Sequence, residues 1–295
     1  MTAASRRYVS PDEDSGRWLG FPFRTGDVIV STRSKSGTTW MQMICLLLVF
    51  GSPELPEPLG RLSPWLDHLI EPRDRLFERL EQQNWRRVMK THTPLDGIPI
   101  VPGADYVVVA RHPLDMAVSL YHQGDNIDRR RLAALTGERA PSSSAADRPS
   151  AHDWLMSWIR THADPLDAMD SLDGVMWHLS DAWRRRHEPN VSLVHYDDLL
   201  ADLEGEMHRL ADHLGIVIED RVWPVLVRSA GFEQMRARAD QLVPNAGGIL
   251  KDGRAFFRSG RSGAGREMLS DAEVTEYYRR VEGLAPPGLL TWLHR

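Results

Sequence analysis

The feature that most constrains this chain is Ser34-Lys35-Ser36-Gly37-Thr38-Thr39-Trp40, placed where the apolar run Asp27-Val28-Ile29-Val30-Ser31 gives way to the helix-like stretch Met41 to Phe50. A strand that ends in a tight turn before a helix makes a cradle for an anion. Gly37 lets the backbone approach without a Cβ in the way, and the helix start offers free N–H groups and the positive end of its dipole. Lys35, Thr38 and Thr39 add a point charge and hydroxyl donors. The spacing fails the pattern G-x-x-x-x-G-K-[ST], because the lysine precedes the only glycine, so the anion is expected to be held differently than in an ATPase.

A second element separates phosphate chemistries. Tyr106-Val107-Val108-Val109-Ala110 reads as a buried parallel strand ending in Arg111, with His112-Pro113 opening a helix by the N1 proline rule. A magnesium-dependent NTPase would want an Asp at such a strand end; a cation stands there instead. Ser119 follows eight residues on, about two helical turns, which returns its hydroxyl toward Arg111. A surface arginine and a buried helix serine are the plainer reading of each alone, and the pairing with the cradle argues against it. Between the two lies Met89-Lys90-Thr91-His92-Thr93-Pro94, after the short run Arg86-Arg87-Val88. In open α/β sheets ligands collect at the carboxyl ends of strands, where Lys35, Lys90, His92 and Arg111 would converge. A histidine among cations favours its neutral form, which can accept a proton from an alcohol near neutral pH.

Ser34 to Trp40, Lys90-Thr91-His92 and Arg111 with Ser119 resemble the motifs of the cytosolic-type, PAPS-dependent sulfotransferases. The resemblance extends to Tyr196 in Val194-His195-Tyr196-Asp197-Asp198-Leu199, to Phe232 and Met235, and to the glycine-spaced run Phe257-Arg258-Ser259-Gly260-Arg261-Ser262-Gly263-Ala264-Gly265-Arg266. It implies a single-domain α/β, P-loop-like fold over 1–295, with a central parallel sheet flanked by helices, and a bacterial member of the family. It implies that PAPS is the donor and PAP the product. Lys35 would touch the bridging oxygen of the 5′-phosphosulfate, Ser36, Gly37, Thr38 and Thr39 would hold the 5′-phosphate, and Arg111, Ser119, Arg258 and Gly260 the 3′-phosphate. Trp40 and Phe232 would sandwich the adenine, Tyr196 would bond its edge, Phe257 and Ser259 would complete the donor site, His92 would be the general base, and Lys90 would help hold the transferring group. The chain departs from the family pattern at Ser259 and Arg266, where basic and lysine residues are usual, and at Ala230, where a threonine is. Arg261 is a candidate replacement for lost charge, and Lys35, Lys90, Arg111, Arg258, Arg261 and Arg266 are together a candidate basic pocket. A dimer is not carried over, because Ser270, Asp271 and Thr275 match the family's dimerisation pattern poorly.

The 295 residues show no composition break that would separate two cores. A net charge of −5 excludes a general nucleic-acid binder. The single cysteine, Cys45, sits in an apolar run and reads as core. No secretory h-region or membrane-length apolar run is visible, which leads us to expect a cytoplasmic protein. Without H-E-x-x-H or a cysteine cluster, no metal site is expected. Arg129-Arg130-Arg131 and Arg184-Arg185-Arg186 read as solvated faces, and Trp154, Trp158, Trp177 and Trp183 as core or acceptor-site wall.

Strands are expected near 27–31, 86–91, 105–110 and 191–195. Helices are expected near 38–50, 72–84, 113–122, 172–187, 198–214, 219–239 and 271–282. The stretch 125–153 has loop composition and is expected to be a lid or a disordered insertion, and Ser52 to Pro64 is a second candidate rim. The acceptor, a small-molecule or glycolipid hydroxyl, is not encoded in these motifs. An NTP-dependent kinase of related topology and a non-catalytic nucleotide-binding module are the alternatives, opposed by the missing Walker glycine and by the presence of Lys90 and His92.

Overall fold

Four short apolar runs become four strands: β1 (Val28–Ser31), β2 (Val88–Thr91), β3 (Asp105–Ala110) and β4 (Val191–His195). The computed structural model, which describes residues 4–136, 148–243 and 248–295, pairs them all in parallel in the order β2-β1-β3-β4. Val30 lies opposite both Lys90 and Val107, and Ala110 opposite His195, so the strand exits align on one edge. Chain order reverses between β1 and β3. That reversal is the topological switch point at which an open α/β sheet has its crevice.

The strands are apolar at nearly every position because both faces are covered. Val28, Val30, Val88, Val107 and Val109 pack with helix α1 (Thr38–Phe50). Ile29, Met89, Tyr106 and Val108 pack on the other side with Trp18 and Phe21. From Met41 to Leu48 every residue of α1 is buried, Cys45 included, as expected of a helix apolar all round. Helix α2 (Arg73–Gln82) follows, and α3 (Pro113–Asn126) starts with proline at its first turn.

The described ends of the stretch 125–153 form helices that its composition does not suggest. Helix α3 runs on to Asn126, α4 covers Arg129–Thr136, and α5 (Ala151–Arg160) begins after Ser150. The cap residues carry the signal: Asp128 Oδ1 accepts from the N–H groups of Arg130 and Arg131 at 3.0 Å, and Ser150 Oγ from that of Asp153 at 3.0 Å. The central run from Arg139 to Ala146 lies outside the described residues. Farther on come α6 (Leu172–Arg185), α7 (Tyr196–Ala201), α8 (Leu203–Leu214), α9 (Trp223–Ala230), α10 (Phe232–Ala237) and α11 (Asp271–Glu282). The expected helix 198–214 is interrupted at Asp202, whose side chain caps α8 through Gly205 N at 2.9 Å, and the expected helix 219–239 is broken at Gly231. Among the described residues no helix is long and apolar enough to cross a membrane.

At the end of the sheet away from the crevice, Arg87 and Asp27 form an ion pair with both side chains 1% exposed. Arg87 Nε donates to Asp27 Oδ1 at 2.8 Å, Nη2 donates to the Pro22 carbonyl at 2.8 Å, and the guanidinium lies over Phe21. Removing one partner strands a buried charge, so Arg87→Met is expected to cost about 3–5 kcal/mol of stability in urea unfolding. A loss below about 1 kcal/mol would mean that the pair does not hold this end of the sheet.

Candidate active site

The turn after β1 is built from strained backbone. Lys35 has φ 63°, a left-handed conformation rare for a side chain with a Cβ, and Gly37 follows at φ 99° as the N-cap of α1. A Cβ on Gly37 would come 3.0 Å from the Tyr196 ring, so the glycine serves both the turn and the close approach. The helix start has no side-chain cap, and its first internal bond is Met41 N–H to the Gly37 carbonyl at 3.0 Å. The N–H groups of Thr38, Thr39 and Trp40 are therefore left for an anion.

A cavity of about 380 Å³ opens at this point, walled by Ser34, Lys35, Gly37, Thr38, Thr39, Trp40, Lys90, His92, Arg111, Ser119, Tyr196, Phe232, Phe257, Arg258, Ser259 and Gly260. Six segments of the chain, 34–40, 90–92, 111–119, 196, 232 and 257–260, thus meet at one cavity. Ser36 does not line the wall. It is buried behind it, with its N–H given to the Arg33 carbonyl at 3.2 Å.

Arg111 leaves β3 at the switch point and spans the crevice. Its Nη1 donates to the Lys35 carbonyl and its Nη2 to the Arg261 carbonyl, each at 3.1 Å, its guanidinium lies 4.4 Å from the Tyr196 ring centre, and its buried Nε has no partner. Among the described residues, none of Lys35, Lys90, Arg111 and Arg258 has a carboxylate within ion-pair distance. Burial, then Arg111, Arg258 and Lys90, push the Lys35 ammonium down to about 7, and burial takes Lys90 down to about 8 against the pull of Asp67 and Glu13. Lys35 Nζ rests 4.0 Å from the Phe256 ring centre and 3.4 Å from Gln123 Oε1, and Lys90 Nζ lies 4.7 Å from the Trp65 ring centre.

His92 follows β2. Its Nδ1 lies 2.6 Å from the Thr32 carbonyl, which can only accept, so the proton sits on Nδ1 and Nε2 keeps its lone pair. Burial, Lys90 and Arg33 hold the imidazole well below its usual range, in the neutral form. Trp65 packs edge-on against the ring at 4.7 Å.

The glycine-spaced loop is held to this crevice by one buried carboxylate. Asp115, in the first turn of α3, accepts from the N–H groups of Gly263 and Gly265 at 2.8 Å each, and Ser262 Oγ donates to Asp197. This brings Arg258 beside Arg111. Gly260, at φ 59°, lies so close to Phe232 that a Cβ would fall 2.5 Å from the ring. Trp40 is fixed by its Nε1 bond to the Ala230 carbonyl at 2.8 Å, where α9 ends.

Two expected members of the basic pocket turn away. Arg266 Nη2 bonds Asp271 Oδ1 at 2.6 Å, and Arg261 reaches Glu267 at 3.5 Å, so the cationic wall is Lys35, Lys90, Arg111 and Arg258. The candidate rim 52–64 contributes no wall residue, but Trp65, immediately after it, does. Trp154, Trp158, Trp177 and Trp183 are packing residues outside the cavity, with Trp158 Nε1 on the Asp170 carbonyl and Trp177 Nε1 on the Tyr8 hydroxyl, each at 2.8 Å. Asp12, Gln123, Ile127, Asp170, Leu250 and Phe256 also wall the cavity and carry no motif; folding alone brings them there. Arg33 was equally silent. It is buried, donates to the His92 carbonyl, and pairs with Asp170 at 2.7 Å.

A crevice at a switch point, an uncapped helix start, unpaired cations and aromatic plates define a nucleotide-binding transferase of the α/β class. The sulfotransferase domain family matches residues 25–282, and the chain belongs to that family. A glycolipid sulfotransferase of Mycobacterium tuberculosis is 38% identical over 304 residues, covering 97% of this chain and 93% of its own. Cytosolic sulfotransferase 12 of Arabidopsis thaliana is 28% identical, over 89% of this chain and 78% of its own. The fold is shared with mouse sulfotransferase SULT7A1 complexed with PAP (TM-score 0.70, 17% identity, 95% of this chain and 92% of that one) and with retinol dehydratase in complex with androsterone and PAP (TM-score 0.66, 21% identity, 95% and 90%). The chain is therefore a sulfotransferase with PAPS as its sulfuryl donor, which closes the kinase and non-catalytic readings.

The wall suits that donor, because unpaired cations and a partnerless Arg111 Nε lack the anionic groups it carries. A polyanion beside Lys35 raises the ammonium's proton affinity above its free value of about 7. PAP binding at pH 7.5 in EDTA is thus expected to take up a proton, and its affinity to fall as pH rises above about 7. Calorimetry in buffers of different ionisation enthalpy measures the uptake. Proton release, or binding that vanishes in EDTA, would contradict this electrostatic picture.

Proposed function

We propose that this enzyme transfers the sulfuryl group to a neutral hydroxyl acceptor, a glycolipid or small alcohol, with His92 as general base and Lys35 and Lys90 as the cations of the reacting centre. The single observation that carries this reading is the meeting of the buried, neutral His92, its Nε2 free to accept a proton, with two ammonium groups in one cavity. His92 Nε2 takes the acceptor's proton as the acceptor oxygen bonds to sulfur. The bond from sulfur to the bridging oxygen breaks, and its electron pair leaves with the 5′-phosphate, where Lys35 meets the growing charge. Lys90 neutralises the oxygens of the group in transit. Gly37, Thr38, Thr39 and the uncapped N–H groups of α1 bind the 5′-phosphate, with Ser36 supporting the turn from behind, Arg111, Ser119, Arg258, Ser259 and Gly260 bind the 3′-phosphate, and Trp40, Tyr196, Phe232 and Phe257 the adenine.

Asp12, Trp65 and Asp170 share the cavity with Lys90 and His92. Two carboxylates there repel an anionic acceptor and accept hydrogen bonds from a hydroxylated one, and the mycobacterial relative's name supports a glycolipid. With these residues the whole of 1–295 reads as one sulfotransferase domain working in the cytoplasm.

Arg111→Ala is expected to weaken PAP by about 1.5–3 kcal/mol, roughly ten- to a hundredfold, and adenosine 5′-phosphosulfate far less, since that ligand lacks the 3′-phosphate. Competition binding decides it, and equal losses would move Arg111 to another role. His92→Ala is expected to lower kcat by about 10²–10⁴ with PAP affinity nearly intact. A folded variant that sulfates a proven acceptor at close to the parent rate would remove His92 from the chemistry.

A further inference from the structure

We propose that Asp67 is a positioning residue of the sulfuryl-transfer centre: one buried carboxylate ties down the backbone on both sides of His92 and supplies the negative charge beside Lys90. The inference rests on the acceptor reading above only in assigning chemistry to His92 and Lys90. Its basis is the packing of the segment 64–67 along β2. Lys90 N–H donates to the Pro64 carbonyl at 2.9 Å, Leu66 N–H donates to the Lys90 carbonyl at 3.2 Å, and Trp65 pairs with Lys90 in parallel. β2 is the edge of the sheet, and this segment covers it where the site residues leave the strand.

Asp67 follows that pairing and is fully buried. Its Oδ2 accepts from Thr91 Oγ1 at 2.5 Å and from Thr93 Oγ1 at 2.6 Å, while Thr91 Oγ1 also accepts from Thr93 N–H at 2.9 Å. Both threonines are fully buried, and His92 lies between them. A single carboxylate oxygen therefore sets the path of the chain through the residue that presents the imidazole.

Charge is the second half of the device. Glu13 arrives from the amino-terminal segment, where Glu13 bridges to His68 and Asp14 N–H donates to the Asp67 carbonyl at 2.9 Å. Glu13 Oε2 and Asp67 Oδ1 are both buried without a partner. Burial raises the proton affinity of both acids, taking Glu13 up to about 8 against the pull of Arg33, and the Thr91 and Thr93 hydroxyls that donate to Asp67 favour the charged form of that carboxylate. Lys90 faces Asp67 and Glu13 as its acids, with Lys35, His68 and His92 as its basic neighbours. Asp67 faces Glu13, Arg17, Trp18 and the two threonines. Of the acids, Asp67 acts on Lys90 most strongly.

The chain has three lysines, Lys35, Lys90 and Lys251, so labelling with 13Cε-lysine gives a spectrum in which Lys90 is assigned through Lys90→Arg. Asp67→Asn keeps an oxygen for both hydroxyls and removes the charge. It is expected to lower the Lys90 titration midpoint by about one pH unit or more and kcat at pH 7 by about tenfold, with PAP affinity within threefold. Thr91→Val/Thr93→Val keeps the charge and removes the clamp. It is expected to lower kcat similarly while the Lys90 midpoint stays put. An unmoved midpoint together with kcat within twofold of the parent in Asp67→Asn overturns the proposal. So does a loss of PAP affinity in step with kcat, which would make Asp67 a support of the donor cradle. The titration is read without turnover. A parent protein that sulfates no offered alcohol would overturn the acceptor reading, while a shifted midpoint would still uphold the place of Asp67 beside Lys90.

Discussion

Mutual repulsion among Lys35, Lys90, Arg111 and Arg258 is the constraint around which this structure is arranged. Like charges brought out of water raise one another's free energy, and relief comes through a counter-ion, through deprotonation or from a ligand. No carboxylate pairs with any of the four among the described residues, and Lys35 and Lys90 are both pushed toward neutrality. An anionic ligand supplies what is missing, so the same placement that weakens the free fold favours the loaded one.

Holding such a cluster requires other groups to fix it in place. Arg111 is pinned by two carbonyls and the face of Tyr196, not by an acid. Asp115 stands one turn behind, where its charge goes to the N–H groups of Gly263 and Gly265 and holds the loop that carries Arg258. Asp67 stands behind Lys90 and His92 in the same way, spending its hydrogen bonds on Thr91 and Thr93. In both places a buried carboxylate orders backbone near a cation without neutralising it, so the cavity stays electropositive while its walls stay rigid.

Local chemistry made part of this legible in the sequence. The runs at 28–31, 88–91, 105–110 and 191–195 alternate with helical stretches, and a parallel sheet follows because each strand is apolar on both faces. Pro113 marked the start of α3, and the strand-turn-helix around Gly37 marked the cradle. At the two ends of the stretch 125–153, Asp128 and Ser150 cap helices that its loop composition hid. Arg261 and Arg266 were drawn into the pocket by their charge alone, whereas Glu267 and Asp271 lie close enough to claim them.

The sequence by itself determined the anion cradle, because a cradle is a local object: a turn, a helix start and a cation fall within seven residues. Only the tertiary structure decided the rest of the cavity wall and the supports. Asp12, Trp65 and Asp170 meet at the cavity through contacts between segments far apart in the chain, and Asp67 reaches Thr91 and Thr93 across more than twenty residues. Such contacts are set by packing and burial, which depend on the whole core, so no spacing within a single segment announces them.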